Sequence, residues 1–194
     1  MGAVLAGGRG RRLGGAKATA LLCGRPLLAW TLESVRAALA RVAVVSKPET
    51  VLPPLPNDVE VWRESSSLCH PVVGVLEALE RARGAAVVIC AVDLPLVSVA
   101  VIELLASTPA NGAKAVIAGA AGHVQPLLAR YEPSAAAWLR RAPAQAPLMT
   151  TVMGLDPRVV AVDERALVNV NTPADLQAAA RVLGARQADQ TARR

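Results

Sequence analysis

The sequence predicts a single α/β domain in which a mostly parallel central sheet is flanked by helices. Three observations support this prediction. Short apolar runs rich in β-branched residues recur along the chain, amphipathic segments with helical spacing separate them, and the two kinds alternate through the first two-thirds. With 194 residues, 53% of them hydrophobic, the chain is long enough to bury one substantial core.

The strands and helices are assigned from these runs in chain order. Strands are predicted at 3–6, 42–45, 59–62, 86–92, 114–118, 124–130 and 158–162. Helices are predicted at 26–40, 71–83, 98–107, 133–141 and 173–184. Each helix begins at a recognisable start signal, which is proline at Pro26, Pro71 and Pro133 and a preceding cap at Ser98 and Thr172.

Two of the predicted strands, 114–118 and 124–130, follow each other without a helix between them. The small-residue turn GAAGH joins them, which predicts a hairpin and one antiparallel strand late in the chain. We expect one domain over residues 1–184, because no repeat or linker divides this part of the chain. Residues 185–194 are polar and are expected to form a flexible C-terminal tail.

The charge and composition restrict the classes of partner. The net charge is +6 and the pI is about 10, which is typical of nucleic-acid binders. The arginines are scattered, however, and three Trp, one Tyr and no Phe offer little surface for stacking bases. No hydrophobic run approaches the roughly 20 residues that a membrane helix needs. We therefore expect neither nucleic-acid nor membrane partners. Three cysteines without a CxxC pair are typical of reduced thiols, so we expect a cytoplasmic protein.

A glycine-rich, cationic loop follows the first predicted strand, in VLAGGRGRRLGGAK at residues 4–17. Glycine lets a backbone approach a ligand closely, and arginine and lysine neutralise phosphate. Ligands of open α/β sheets bind at the carboxyl ends of the strands, so the loop is a candidate phosphate site. Its spacing matches neither common nucleotide-binding motif, and a tight turn without a ligand is the alternative.

Two further segments place polar side chains next to apolar ones. Asp93 follows the most apolar strand, where a carboxylate can hold Mg²⁺ together with substrate phosphates, or can cap the turn set by Pro95. Asn169 and Asn171 alternate with apolar neighbours, which predicts that both face one side at the end of a strand. There they either bind a polar ligand or cap the helix that follows.

Together these segments resemble the molybdenum cofactor guanylyltransferases. The opening signature of that family, LAGG-x-S-x-R-M-G-x-D-K, is matched by Leu5, Ala6, Gly7, Gly8, Arg12, Gly14 and Lys17. The segments HPVVG at 70–74, CAVDLPLV at 90–97 and NVNTPADL at 169–176 are similar to three further landmarks in the same order. The chain departs from the family pattern at Gly10, Leu13, Ala16 and His70, where the family has Ser, Met, Asp and Gly.

The resemblance implies a Rossmann-like nucleotidyltransferase fold and an enzyme that transfers GMP from GTP to molybdenum-molybdopterin, releasing pyrophosphate. It implies catalytic roles for Arg12, Lys17 and Asp93, with Asp93 holding Mg²⁺ as the cofactor. The nucleotide-binding residues that it implies are Leu5, Ala6, Gly7, Gly8, Lys17, Glu64, Gly74 and Asp93. Asn169 and Asn171 would bind the acceptor, and proteins that insert molybdenum or chaperone molybdoenzymes would be compatible partners.

Other activities stay open at this level. Similar cytidylyltransferases carry LAAG where this chain has LAGG at residues 5–8, so this segment favours GTP over CTP. Sugar-1-phosphate nucleotidyltransferases open with a segment similar to LAGGRGRRL but are longer, and a phospholactate-type guanylyltransferase accounts less well for NVNTPADL. A protein that binds and delivers a nucleotide or cofactor without catalysis is the alternative of another class, and Ala16 is the feature that favours it.

Overall fold

A computed structural model describes residues 1–8, 10–13, 15, 17–64, 70–143 and 146–192. The strands are β1 (Gly2–Leu5), β2 (Leu21–Leu22), β3 (Arg25–Pro26), β4 (Val42–Ser46), β5 (Val59–Arg63), β6 (Val87–Ala91), β7 (Ala115–Ala120), β8 (His123–Tyr131) and β9 (Arg158–Ala161). The helices are α1 (Leu27–Ala38), α2 (Pro71–Arg81), α3 (Val99–Ser107), α4 (Ala135–Leu139), α5 (Leu148–Met153) and α6 (Pro173–Ala192). Short 3₁₀ turns cover Arg11–Leu13, Lys17–Thr19 and Glu164–Leu167.

A seven-stranded sheet in the order β5-β4-β1-β6-β8-β7-β9 forms the centre of the molecule. Strand β8 runs antiparallel to β6 and β7, and the other neighbouring strands pair in parallel. The predicted α/β fold with one late antiparallel strand is confirmed. Strands β2 and β3 form a separate two-stranded hairpin before α1.

Helices cover both faces of the sheet, so the core has two layers. Helices α1, α3 and α6 bury one layer, which includes Leu28, Ile102 and Leu183. Helices α2, α4 and α5 bury the other, which includes Leu79 and Val152. Successive side chains of a strand point to opposite faces, so a strand covered on both sides is apolar at every position, as β6 is.

The helices bury the faces that their sequence periodicity predicts. In α1, Leu28, Leu32 and Val35 are spaced three to four residues apart and are at most 3% exposed. In α2, Val75 and Leu79 lie one turn apart and pack into the other layer. Of the helices in the described part of the chain, none combines the length and apolar character that crossing a membrane requires.

Some predicted boundaries are wrong. Helix α4 spans only five residues, because two residues at each end of the predicted range 133–141 form turns. Helix α6 extends to Ala192, past the predicted end at 184, because residues 185–192 include three alanines, two glutamines and one arginine, which favour helix. Residues 168–171 form no strand, contrary to the prediction for Asn169 and Asn171. The short elements β2, β3 and α5 were not predicted.

Gly2 marks a close approach between the central strand and α1. A Cβ atom added there would meet Val35 Cγ1 and lie 2.9 Å from Leu39 Cδ1. We expect Gly2→Ala to lower the free energy of unfolding by about 1–3 kcal/mol, because it overpacks this contact. Urea unfolding monitored by circular dichroism measures the change.

Gly184 in α6 provides the control for this substitution. It is exposed and a Cβ atom there would meet nothing within 4 Å. Gly184→Ala should leave stability unchanged or raise it by about 0.5–1 kcal/mol, since alanine is the better helix former. A Gly2→Ala protein as stable as the wild type would contradict the close approach of α1 to β1.

Candidate active site

A cleft of about 370 Å³ opens at the carboxyl end of the sheet, where the chain leaves β1, β4, β5 and β6. Strand β1 lies between β4 and β6, and the chain proceeds to one side through β4 and β5 before it crosses to β6 on the other side. Such a reversal of strand order separates the loops that follow the strands and leaves a crevice between them. The residues that bring polar groups or glycines to its wall include Gly7, Gly8, Lys17, Glu64, Gly74 and Asp93.

One end of the cleft carries a cluster of Lys17, Asp93 and Asn171. Lys17 Nζ donates to Asp93 Oδ2 and to Asn171 Oδ1, at 2.6 Å in each case. The side chains of Lys17 and Asp93 are only 11% and 16% exposed, so the ion pair is largely withdrawn from water. The cluster joins three distant parts of the sequence, namely the turn after the glycine loop, the end of β6 and the start of α6.

The segment that carries Asn171 is anchored by the start of α6. Asp175 Oδ2 accepts from the backbone N–H groups of Asn171 and Thr172, at 2.9 and 2.8 Å, and Asp175 N donates to Thr172 Oγ1. The backbone bond from Asn171 and the hydroxyl of Thr172 lower the pKa of Asp175. The charged carboxylate of Asp175 therefore stabilises the folded state at neutral pH, and this stabilisation is lost as the pH falls through the lowered pKa.

Asn169 contacts a different neighbour from Asn171. Gln125 Nε2 donates to Asn169 Oδ1 at 3.3 Å, while Gln125 Oε1 accepts from the backbone of Leu127, a residue of the cleft wall. Both asparagines are exposed and flank Val170, which is fully buried. The backbone of Val170 donates to the carbonyl oxygen of Asp93 at 2.8 Å, so one backbone bond holds this segment beside β6 where a strand was predicted.

The other end of the cleft carries a buried ion pair between Lys47 and Glu64. Lys47 Nζ lies 2.8 Å from Glu64 Oε2, and the two side chains are 6% and 7% exposed. Parallel register places Ser46 opposite Arg63, so the residues that follow β4 and β5 emerge side by side. Sequence reasoning missed Lys47, although a cation directly after a fully buried strand requires a partner and is a usable signal.

Two glycines allow backbone to pass close to Glu64. A Cβ atom on Gly7 would lie 3.0 Å from Glu64 Oε1 and 3.2 Å from Lys47 Cγ. A Cβ atom on Gly74, in the first turn of α2, would lie 3.3 Å from Glu64 Oε1 and from Leu5 Cδ1. The glycine loop and α2 therefore approach Glu64 from two sides because neither carries a side chain at the contact.

Residues 2–155 match the family described as the MobA-like NTP transferase domain. The chain belongs to this family. A probable molybdenum cofactor guanylyltransferase of Chloroflexus aggregans is 31% identical over 94% of each chain. A molybdenum cofactor guanylyltransferase of Cereibacter sphaeroides is 33% identical over 94% of this chain and 96% of the relative.

Solved structures agree with this membership. The crystal structure of molybdopterin-guanine dinucleotide biosynthesis protein A from Archaeoglobus fulgidus superposes with a TM-score of 0.76 at 26% identity. The match covers 94% of this chain and 98% of that one. The protein is therefore a nucleotidyltransferase.

Most, but not all, of the predicted site residues line the cleft of this NTP transferase. Leu5 and the two glycines after Ala6 lie on its wall, while Ala6 itself is fully buried and donates to Val45 O at 2.8 Å. Arg12 is exposed on a 3₁₀ turn and is not part of the cleft wall. Asn169 and Asn171 lie outside the wall, and Asn171 reaches it through Lys17.

Two departures from the family pattern have structural explanations in this NTP transferase. Gly10 has φ +50°, and its carbonyl accepts from the backbone of Leu13 and Gly15, so the loop turns at this residue. His70 caps α2, because its Nδ1 accepts from Val72 N at 3.3 Å while Nε2 lies 2.9 Å from Ala146 O. Gly14 and Ala16 lie outside the described residues.

The donor set near Asp93 suits a cation held jointly with a nucleotide. Among the residues described, no three His, Cys, Asp or Glu side chains are grouped so as to hold a metal ion. Asp93 is a single carboxylate on the cleft wall. Magnesium is commonly held by one or two carboxylates while phosphate oxygens and water supply the other ligands, so this arrangement fits Mg²⁺ that arrives with a triphosphate.

We expect Glu64→Ala to lower the free energy of unfolding by about 3 kcal/mol, because it leaves the Lys47 ammonium buried without its carboxylate partner. Chemical denaturation measures the loss. The control is Glu80→Ala, since Glu80 pairs with Arg140 on the surface and the two side chains are 50% and 54% exposed. That substitution should cost about 0–1 kcal/mol. Equal losses in the two variants would contradict the burial of the Lys47–Glu64 pair.

Proposed function

We propose that this nucleotidyltransferase transfers GMP from GTP to molybdenum-molybdopterin and releases pyrophosphate. The observation that carries the proposal is the cluster of Lys17, Asp93 and Asn171 beside the glycine loop. It combines a cation for phosphate, a carboxylate for Mg²⁺ and an amide for the acceptor at one end of the cleft. The names of the relatives in Chloroflexus aggregans and Cereibacter sphaeroides support the choice of substrates.

The reaction is an in-line displacement at phosphorus. A phosphate oxygen of the acceptor attacks the α-phosphorus of GTP, the bond from that phosphorus to the bridging oxygen breaks, and pyrophosphate leaves with the electron pair. Charge stabilisation provides most of the catalysis in such transfers. Lys17 is positioned to neutralise the triphosphate, and Asp93 would hold Mg²⁺, which when bound withdraws charge from the phosphate oxygens.

The nucleotide is proposed to lie along the cleft with its phosphates at Lys17 and its base at Glu64. The backbone from Leu5 to Gly8 borders this path, and Gly7 and Gly8 leave it open because they have no side chains. The guanine edge presents N–H donors, which a carboxylate such as Glu64 can accept. Gly74 allows the start of α2 to approach the same region.

The acceptor is proposed to bind at Asn169 and Asn171. Their side-chain oxygens accept from Gln125 Nε2 and Lys17 Nζ, so the amide groups that remain for a ligand are the Nδ2 donors. Donors of this kind suit an anionic phosphate. Arg12 stays a prediction, and its ligand would be the part of the triphosphate that extends from the cleft toward its exposed turn.

The test of the proposed function is pyrophosphate release by the purified protein with Mg²⁺ and molybdenum-loaded molybdopterin. GTP, CTP, ATP and UTP are compared in parallel, and we expect release with GTP, because the LAGG segment at residues 5–8 and Glu64 favour guanine. Preference for CTP would contradict the assignment of the base. GTP binding without release in the complete mixture would contradict transfer and favour a delivery protein.

We expect Asp93→Asn to lower the rate of pyrophosphate release by about 100-fold or more, because the variant keeps the shape of the side chain but removes its charge. Release is measured at saturating GTP over a range of Mg²⁺ concentrations, and circular dichroism verifies the fold. The control is Asp58→Asn, which breaks an exposed pair with Arg36 between α1 and β5, away from the cleft. Near-normal release by Asp93→Asn would contradict the proposed role of the carboxylate.

A further inference from the structure

We infer that Arg63 is a positioning residue for the nucleotide pocket, acting through Lys47. Arg63 is the last residue of β5, and its side chain is not part of the cleft wall. Its guanidinium reaches across to the turn that follows β4, which carries Lys47. The inference rests on the proposed function in that a nucleotide occupies the cleft beside Lys47 and Glu64.

The hydrogen bonds of the Arg63 side chain lie on the end of β4 and the turn that follows it. Arg63 Nη1 donates to Ser46 Oγ at 2.8 Å, to Lys47 O at 2.9 Å and to Thr50 O at 3.2 Å. The turn is closed by a backbone bond from Thr50 N to Lys47 O at 3.1 Å. One guanidinium nitrogen therefore contacts the residue before Lys47, the carbonyl of Lys47 and the residue that closes the turn.

This turn has little regular structure to hold it in place. The sheet ends at Ser46, and residues 47–58, which contain four prolines, form neither helix nor strand. The last backbone bond between the two strands runs from Glu64 N to Ser46 O at 2.9 Å. Beyond that bond, the Arg63 side chain connects the backbone of Lys47 to β5.

The backbone of Arg63 also contacts α2. Its carbonyl oxygen accepts from Arg81 Nη2 at 3.4 Å, and Arg81 is the last residue of α2. The first turn of α2 carries Gly74, which approaches Glu64. Arg63 thus connects the turn of Lys47, through its side chain, to the strand that continues into Glu64, and its carbonyl oxygen contacts α2. These contacts hold the turn in place before a nucleotide enters.

Two consequences follow for catalysis. Without the Arg63 bonds, part of the binding free energy of the nucleotide would be spent on ordering the Lys47 turn, so nucleotide affinity falls. The cluster at Lys17 and Asp93 lies at the other end of the cleft, whereas the Arg63 side chain bonds to the Lys47 turn, so turnover at saturating nucleotide is retained. A lysine at position 63 keeps the charge, but its ammonium ends one atom short of the position of Nη1, so it restores only part of the affinity.

The test measures Mg²⁺-GTP binding by calorimetry for the wild type, Arg63→Gln and Arg63→Lys. We expect Kd to rise about 10-fold in Arg63→Gln, which corresponds to the loss of one preorganised side chain, and less in Arg63→Lys. In the pyrophosphate assay, KM for GTP should rise in proportion while kcat stays within about twofold of the wild type.

The matched control is Arg41→Gln. Arg41 lies at the other end of the same strand pair, where its guanidinium donates to Glu60 at 2.7 Å and lies over the ring of Trp62. Arg41→Gln removes contacts with β5 but leaves the hydrogen bonds of the Lys47 turn in place, so its Kd for GTP should equal that of the wild type. Urea unfolding of every variant separates a loss of affinity from a loss of stability.

The outcomes distinguish this inference from the proposed function. Wild-type affinity in Arg63→Gln, or an equal loss in Arg41→Gln, would overturn the inference and leave the function intact. A fall in kcat without a change in KM would overturn it as well. Absence of GTP binding by the wild type would overturn the proposed function and this inference together. If Arg63→Gln does not fold, intermediate affinity in Arg63→Lys supports the inference and wild-type affinity overturns it.

Discussion

The parallel pairing of β1 with β4 on one side and β6 on the other is the constraint on which the rest of the structure depends. Gly2 is in register with Val42 and with Val88, so the three strands end at the same edge of the sheet. The glycine loop, Lys47 and Asp93 leave the sheet at that edge. The cleft exists because the chain turns in opposite directions after strands that lie next to each other.

Two ion pairs divide the cleft into parts with different chemistry. The Lys17–Asp93 pair is partly exposed and lies where a ligand or a cation can reach it. The Lys47–Glu64 pair is almost completely buried and is flanked by glycine backbone on two sides. Charges in such positions are stable only when each has its partner, so the polar groups of the site also determine its shape. Their spacing is in turn maintained by contacts outside the cleft, at Asp175 for one end and at Arg63 for the other.

The departures from the family signature show how local sequence and tertiary structure combine. Glycine at position 10 suits a residue with positive φ, and histidine at position 70 supplies a cap for the helix that begins with Pro71. These residues were noticed in the sequence only as mismatches. Their roles became visible when the positions of Leu13 and Ala146 were known, because the partners of a hydrogen bond are not given by the pattern of one segment.

The sequence by itself determined the order of the main strands and helices, the antiparallel strand near the end and the segments that supply Lys17, Glu64 and Asp93. The strands and helices follow from periodicity and caps, which are local properties of the chain, whereas Glu64 was singled out only by the resemblance to the family. The segment with Asn169 and Asn171 was identified but was wrongly assigned to a strand. Alternation of polar and apolar residues occurs in any extended backbone, whether or not it pairs in a sheet. Only the tertiary structure decided that Lys47 faces Glu64, that Asn171 contacts Lys17 from 154 positions away, and that Arg12 points to solvent. The physical reason is that these contacts depend on which strands become neighbours, and strand order is decided by packing across the whole sheet.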